Sequence, residues 1–165
     1  MAQADATLQD YRDHLLMLRA WLAPIEQWLA RFGDGPQGPD APPPVPRVSR
    51  IDADLALGAS APATDSAPAS DAWPADASAA YRWGVCYVVE GSQLGGVVLY
   101  RRLAEQLAPH PLNYLKGSAE GPGPRWRAFS EALRDQVRGS EQIEEACAGA
   151  CEAFDRILAL RTTNL

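Results

Sequence analysis

The sequence predicts an all-α protein, a compact multi-helix bundle, and three observations support this prediction. Apolar residues recur at steps of three and four along the first part of the chain. No stretch alternates β-branched and polar residues in the way that strands do. The chain has 165 residues, of which 47% are hydrophobic, which is enough for one buried core. We therefore expect a single domain over residues 1–165.

The first helix is predicted by the longest apolar stripe in the chain. Thr7 followed by Asp10 resembles a capping box with a short acid, which marks the start of the helix. Gly33 and Gly35 mark its end, and Pro24 predicts a kink inside it. The stripe that we expect to be buried consists of Leu8, Tyr11, Leu15, Leu18, Leu22, Ile25, Leu29 and Phe32, with Trp21 and Trp28 on its flanks.

Two segments have the composition of flexible loops. Residues 33–46 are rich in proline and glycine, so no helix is expected there. Residues 59–80 contain no Val, Ile, Leu, Met or Phe, so they bury too little to become ordered, and Trp73 is their only possible anchor. Between the two loops, a short helix is predicted by Val48, Ile51 and Leu55.

Three more helices are predicted in the second half of the chain. The first covers about residues 81–107, with an interruption at a glycine cluster, and ends before Pro109. The second covers about residues 124–137, and the third begins at Ser140, which is a good capping residue. For this last helix, the predicted buried stripe is Ile143, Cys147, Ala150, Phe154 and Ile157.

Composition and charge exclude several classes of partner. The net charge is −6 and no basic stripe is visible, so we expect no nucleic-acid partner and no membrane partner. The longest apolar runs, such as residues 85–89, are too short to span a bilayer. Residues 1–7 contain no secretory signal, so a cytoplasmic location is expected. Three cysteines do not form a disulfide framework, and they are interpreted as small buried side chains or as a metal or redox site.

The glycine cluster is the unusual feature of the sequence. Gly91, Gly95 and Gly96 lie within a segment of otherwise good helix formers, where they cost about 2–3 kcal/mol relative to alanine. One explanation is close helix–helix packing, because Gly91 and Gly95 are one turn apart. The other is a flat ligand that lies against bare backbone. The spacing leaves both explanations open.

Several segments of the chain resemble bacterial biliverdin-producing haem oxygenases. Residues 90–96 read Glu-Gly-Ser-Gln-Leu-Gly-Gly, which looks like the distal helix of that family and resembles the branch that serves bacterial phytochromes. Ser92 stands where other branches have an aspartate. The further segments that resemble the family are residues 7–26, residues 51–58, Trp126 with Phe129, and residues 150–154.

The resemblance implies a function and a site. It implies oxidative cleavage of haem to biliverdin, carbon monoxide and iron, with haem (heme) as both substrate and cofactor. It also implies an external electron donor, a reductase or ferredoxin, and a bacteriophytochrome as the recipient of the bilin. The residues that it places against haem are Gly91, Ser92, Gly95, Gly96 and Phe154.

The axial ligand of the iron is the point where the sequence departs from the family. Haem oxygenases bind iron through a histidine on a first helix, and no residue here matches that position, because the second-helix motif starts at Thr7. His14 is interpreted as a residue at the boundary of the core, and His110 lies between two prolines in a connection. The alternative function is therefore a non-catalytic protein of this fold, which binds a partner or a non-haem ligand.

Overall fold

The computed structural model describes residues 6–57 and 72–163, and these residues form helices and no strands. The all-α prediction is confirmed. Most helices contribute to one main apolar core, and a smaller cluster forms around Trp83, Cys86 and Phe129. The elements are α1 (Leu8–Leu29), a 3₁₀ turn (Gly35–Gln37), α2 (Arg47–Ala56), α3 (Ala79–Leu103), α4 (Asn113–Lys116), α5 (Gly123–Gln136) and α6 (Ser140–Thr163).

Helix α1 forms as its sequence pattern predicts. Thr7 and Asp10 form a reciprocal capping box, in which each side chain accepts a hydrogen bond from the other residue's backbone N–H. The helix continues through Pro24 to Leu29. Leu8 is the exception to the predicted stripe, since it is exposed in the first turn. The buried residues are Tyr11, Leu15, Leu18, Trp21, Leu22, Ile25 and Trp28.

The proline-rich segment contains a 3₁₀ turn that its composition did not lead us to expect. Pro36 lies in the first turn of Gly35–Gln37, where a missing backbone N–H costs little. The buried guanidinium of Arg82 on α3 donates to the backbone oxygen of Asp34 at 2.9 Å and to the side-chain oxygen of Gln37 at 2.7 Å. The segment is thus hydrogen-bonded to α3.

Trp73 anchors the chain just before α3, as the sequence predicts. It is buried, and its ring stacks on Trp28 with the centroids 4.9 Å apart. The guanidinium of Arg156 also lies over the Trp73 ring, at 4.0 Å from the centroid. Helix α3 begins at Ala79, so it starts inside the segment that we predicted as a loop up to residue 80. Residues 72–78 are not helical, in agreement with that prediction, and residues 59–71 lie outside the described residues.

Helices α3 and α6 pack closely because each has a glycine at their contact. A Cβ on Gly84 would lie 2.6 Å from the carbonyl carbon of Ala146, and Gly149 lies in the same way against the Tyr81 carbonyl. Gly149 and Ala153 are the buried residues of α6. The predicted buried stripe on α6 is wrong for Ile143, Cys147 and Phe154, which are exposed, whereas Ala150 and Ile157 are partly buried against the core.

The remaining helices differ from prediction mainly at their ends. Helix α3 continues without interruption through the glycine cluster and ends at Leu103, before the predicted boundary. Helix α5 agrees with prediction to within one residue, and α4 was not predicted. Cys86 is buried, but Cys147 and Cys151 are exposed, so the interpretation of all three as buried side chains fails for two of them.

Candidate functional site

The three clustered glycines on α3 do not make a close helix–helix contact. A Cβ on Gly95 would meet nothing within 4 Å. A Cβ on Gly91 would meet only the Trp126 ring, at 3.7 Å, and a Cβ on Gly96 would come no nearer than 3.8 Å to any atom outside its own helix. Close backbone packing on this helix occurs at Gly84 instead. Of the two explanations that the sequence left open, the geometry favours bare backbone that is accessible to a ligand.

Gly91 and Gly95 lie on an exposed apolar face of α3. Tyr87, Leu94 and Val98 are spaced along the same side of the helix, and their exposed fractions are 44%, 37% and 57%. Grouped apolar side chains of this kind on a surface commonly mark a binding site. We call this set of five residues the glycine face.

The hydroxyl group of Ser92 donates one hydrogen bond and accepts another. Its Oγ donates to the backbone oxygen of Val89 at 2.6 Å and accepts from the Gln93 amide at 3.1 Å. The same amide nitrogen lies 3.1 Å from the Tyr114 hydroxyl. Since the hydroxyl hydrogen is bonded to the helix backbone, Ser92 offers a ligand an acceptor more readily than a donor.

Phe154 lies on a different helix from the other four predicted site residues. Its side chain on α6 is 52% exposed, with Leu158 exposed one turn further on. Helices α3 and α6 contact each other through Gly84 and Gly149. The structure therefore brings Gly91, Ser92, Gly95 and Gly96 together on consecutive turns of α3, whereas Phe154 belongs to an exposed apolar stripe on α6.

A buried ion-pair cluster adjoins the glycine segment, and the sequence analysis missed it. Glu90 on α3 accepts from Nη2 of Arg47 at 2.9 Å, and from Nε and Nη2 of Arg125 at 2.9 and 2.7 Å. Nη1 of Arg125 also donates to the Pro43 carbonyl, at 2.6 Å. The cluster thus connects α2, the proline-rich segment and α5 to the residue that precedes Gly91. The sequence contained one signal of this cluster, which is that a single acid, Glu90, directly follows the apolar residues 85–89.

The pKa of Glu90 reflects these two arginines. Burial alone would raise the pKa of this carboxyl, but hydrogen bonds and charge from Arg125 and Arg47 outweigh the burial and hold it below its ordinary value. Glu90 is therefore ionised at neutral pH. An ionised carboxylate next to the glycine face fixes both guanidinium groups in place.

The two histidines have different surroundings. His14 on α1 is partly buried, and burial lowers the pKa of its imidazole, with the positive charge of Arg161 acting in the same direction. His110 accepts a hydrogen bond at Nδ1 from the backbone N–H of Leu112, at 3.0 Å, and its ring lies edge-on to Tyr11. Across residues 6–57 and 72–163, no three acids, histidines or cysteines come together as a metal site.

The glycine face is open over Gly95. A Cβ at Gly95 would meet nothing within 4 Å, and the exposed apolar side chains of Tyr87, Leu94 and Val98 lie on the same side of the helix. A larger side chain at Gly95 would fill this space. None of the helices formed by the described residues has the length and hydropathy that a membrane span requires.

Two comparisons with known proteins identify related sequences. The family model described as "Heme oxygenase" matches residues 2–161. A protein named "Heme oxygenase" from Xanthomonas campestris pv. campestris (strain 8004) is 39% identical over 83 residues, which are 49% of this chain and 50% of that relative. The chain therefore aligns with about half the length of this relative. Because the family model covers nearly all of the sequence, the chain belongs to the haem oxygenase family.

Proposed function

We propose that this chain binds haem on the glycine face and takes part in the oxidative cleavage of haem to biliverdin, carbon monoxide and iron. The observation that supports the proposal is the open space over Gly95, within an exposed apolar stretch of a helix. Membership of the haem oxygenase family supports the same substrate. The electrons would come from an external donor, either a reductase or a ferredoxin.

The residues of α3 would bind and orient the substrate. Bare backbone at Gly95 would let a porphyrin lie close to the helix, and Tyr87, Leu94 and Val98 would exclude water from its edge. The oxygen of Ser92 would accept a hydrogen bond near the same face. Phe154 and Leu158 on α6 would offer a second apolar contact. Haem, when bound, supplies the iron that activates dioxygen.

The proposal extends to the recipient of the product. The segment of residues 90–96 resembles the branch whose biliverdin serves bacterial phytochromes, so a bacteriophytochrome in the cytoplasm is the proposed recipient. One alternative is a non-catalytic protein of this fold that binds a partner or a non-haem ligand. The two functions differ in a measurable product, since biliverdin forms only in the first.

Gly95→Leu is expected to weaken haem binding by about tenfold or more, because the new side chain occupies the space above the helix face. Helix content should hold or rise, since leucine is a better helix former than glycine. The measurement is a haem titration followed by absorbance, with circular dichroism of the free protein. Gly123→Leu is the matched control, because a Cβ there also meets nothing within 4 Å and the residue belongs to α5 and not to the glycine face.

An unchanged haem affinity in Gly95→Leu would place haem elsewhere and overturn the assignment of the glycine face. An equal loss of affinity in Gly123→Leu would show that the effect is not specific to this face. Biliverdin formed by the wild-type chain with an electron donor, together with its loss in Gly95→Leu, would support the oxygenase over the non-catalytic alternative.

His14→Ala is expected to change the absorbance spectrum of the haem-bound chain only slightly. The reason is that His14 flanks the buried stripe of α1, and its imidazole is partly buried in that position rather than on the glycine face of α3. The measurement compares the Soret band and the affinity of wild type and variant. A five-coordinate spectrum in the wild type that disappears in His14→Ala would make His14 the axial ligand.

A further inference from the structure

A cavity of about 460 Å³ lies between α1, the proline-rich segment, α3 and α5, and it does not include the glycine face. Its volume falls within the range of small-molecule sites in proteins, about 300–1,000 Å³. Gly91, Ser92 and Gly95 are absent from its lining, although Val89 and Glu90 of the same helix contribute to it. The cavity is therefore a separate site from the one proposed for haem.

Most of the cavity wall is apolar. Helix α1 contributes three aliphatic side chains, and the opposite side comes from α3, α5 and the prolines that precede α2. Such a wall favours a hydrocarbon body over a sugar or a nucleotide, because it offers few hydrogen-bonding partners. Among its apolar residues are Leu22, Ile25, Leu29, Val89 and Phe129.

The polar lining consists of Glu26, Gln37 and the ion-pair cluster, and the two arginines of that cluster differ in how many of their donors are used. All three nitrogens of the Arg125 guanidinium donate to protein oxygens. Arg47, whose side chain is only 9% exposed, uses Nη2 alone, on Glu90. Nε and Nη1 of Arg47 have no acceptor among the described residues and are not fully buried, and Arg47 lines both this cavity and a neighbouring one of about 120 Å³. Arg47 is thus a nearly buried cation whose Nε and Nη1 have no acceptor within the described residues.

The spare donors of Arg47 specify an acceptor as the polar end of the ligand. The lining holds two arginines and two acids, so its formal charge is zero. Both acids are already bonded within the protein: Glu90 is shared by the two guanidinium groups, and Glu26 accepts at Oε1 from the backbone N–H groups of Arg47 and Val48, at the start of α2. A carboxylate from a ligand would take up the donors of Arg47 that these acids leave.

We propose that this cavity binds a medium-chain carboxylate, with its hydrocarbon tail between α1 and α5 and its carboxylate on Arg47. The proposal does not depend on haem binding. It predicts that decanoate binds saturably to the free protein, and that decanol, which has the same tail without the charge, binds about tenfold or more weakly. Isothermal titration with each compound, backed by the carboxyl carbon signal of labelled decanoate, provides the measurement.

Two variants locate the binding. Val45 is a partly buried cavity residue outside the ion-pair cluster, so Val45→Trp should fill the space and reduce decanoate affinity by about tenfold or more. Val48→Phe is the matched control, since this partly buried valine of α2 does not line the cavity and its variant should bind as the wild type does. Gly95→Leu should also bind decanoate normally.

Each other outcome would overturn the proposal in a specific way. Absence of saturable binding would mean that the cavity has no carboxylate ligand of this class. Equal affinities for decanoate and decanol would show that Arg47 recognises no charge. Unchanged binding in Val45→Trp, or loss of binding in Gly95→Leu, would place decanoate on another surface. The decanol comparison uses the wild-type chain, so it decides the question even where a variant does not fold.

Discussion

Gly84→Ala is expected to destabilise the protein strongly, although it adds a single methyl group. A Cβ at this position would lie 2.6 Å from the carbonyl carbon of Ala146 and 2.9 Å from the backbone nitrogen of Ala150. Both atoms belong to the backbone of α6, which cannot rotate out of the way as a side chain can. We expect a loss at or beyond the upper end of the about 1–3 kcal/mol that overpacking usually costs.

Urea denaturation followed by circular dichroism measures this effect, and the chain offers a control on the same helix. Gly95→Ala makes the same substitution where nothing lies within 4 Å, so it should stabilise the protein by up to about 1 kcal/mol. The two substitutions should therefore shift the midpoint in opposite directions. If Gly84→Ala unfolds at the same urea concentration as wild type, helices α3 and α6 do not approach as closely as described.

The contrast between α1 and α6 shows how far apolar spacing can predict a fold. In α1 the large side chains face the core, so their steps of three and four identified the helix and its buried face. In α6 the fully buried residues are Gly149 and Ala153, because a small residue allows two backbones to approach. Hydrophobicity ranks glycine and alanine below Phe154, so the pattern placed Phe154 in the core, where the structure leaves it exposed.

The candidate site was predictable in part for a similar reason. Three clustered glycines are unusual within a helix. Because each of them lowers helix stability, they indicate that bare backbone has a function there. The arginines on Glu90 could not be found in this way. Arg47 and Arg125 lie 43 and 35 residues away from it along the chain, and only the packing of α2 and α5 against α3 brings them together. Sequence spacing carries no signal over such separations.

Ionised Glu90 is expected to contribute a large part of the stability of this region. Its carboxylate is 8% exposed and lies between the guanidinium groups of Arg47 and Arg125, whose side chains are 9% and 25% exposed. Removal of one partner from a buried ion pair leaves the remaining charge without compensation, which costs about 3–5 kcal/mol. Here the loss of one carboxylate would leave two cations close together.

Glu90→Gln, which keeps the shape of the side chain and removes its charge, should therefore lower the free energy of unfolding at pH 7 by about 3–5 kcal/mol. Asp52→Asn is the matched control, because the Arg19–Asp52 pair has a short contact of 2.6 Å but is exposed, so its loss should cost less than about 1 kcal/mol. Urea denaturation of each variant and of wild type gives the comparison.

The pH dependence separates the charge of Glu90 from its packing. The pKa of Glu90 in the folded protein is below its ordinary value of 4.5, so its ionised form stabilises the fold fully above that value. This stability is lost as the pH falls through the lowered pKa, because the folded protein must then take up a proton. The difference between wild type and Glu90→Gln should thus be constant from neutral pH down to about 5 and shrink in more acidic solution. A difference that stays the same in acid would show that the substitution acts through packing, and that the two arginines do not stabilise the carboxylate.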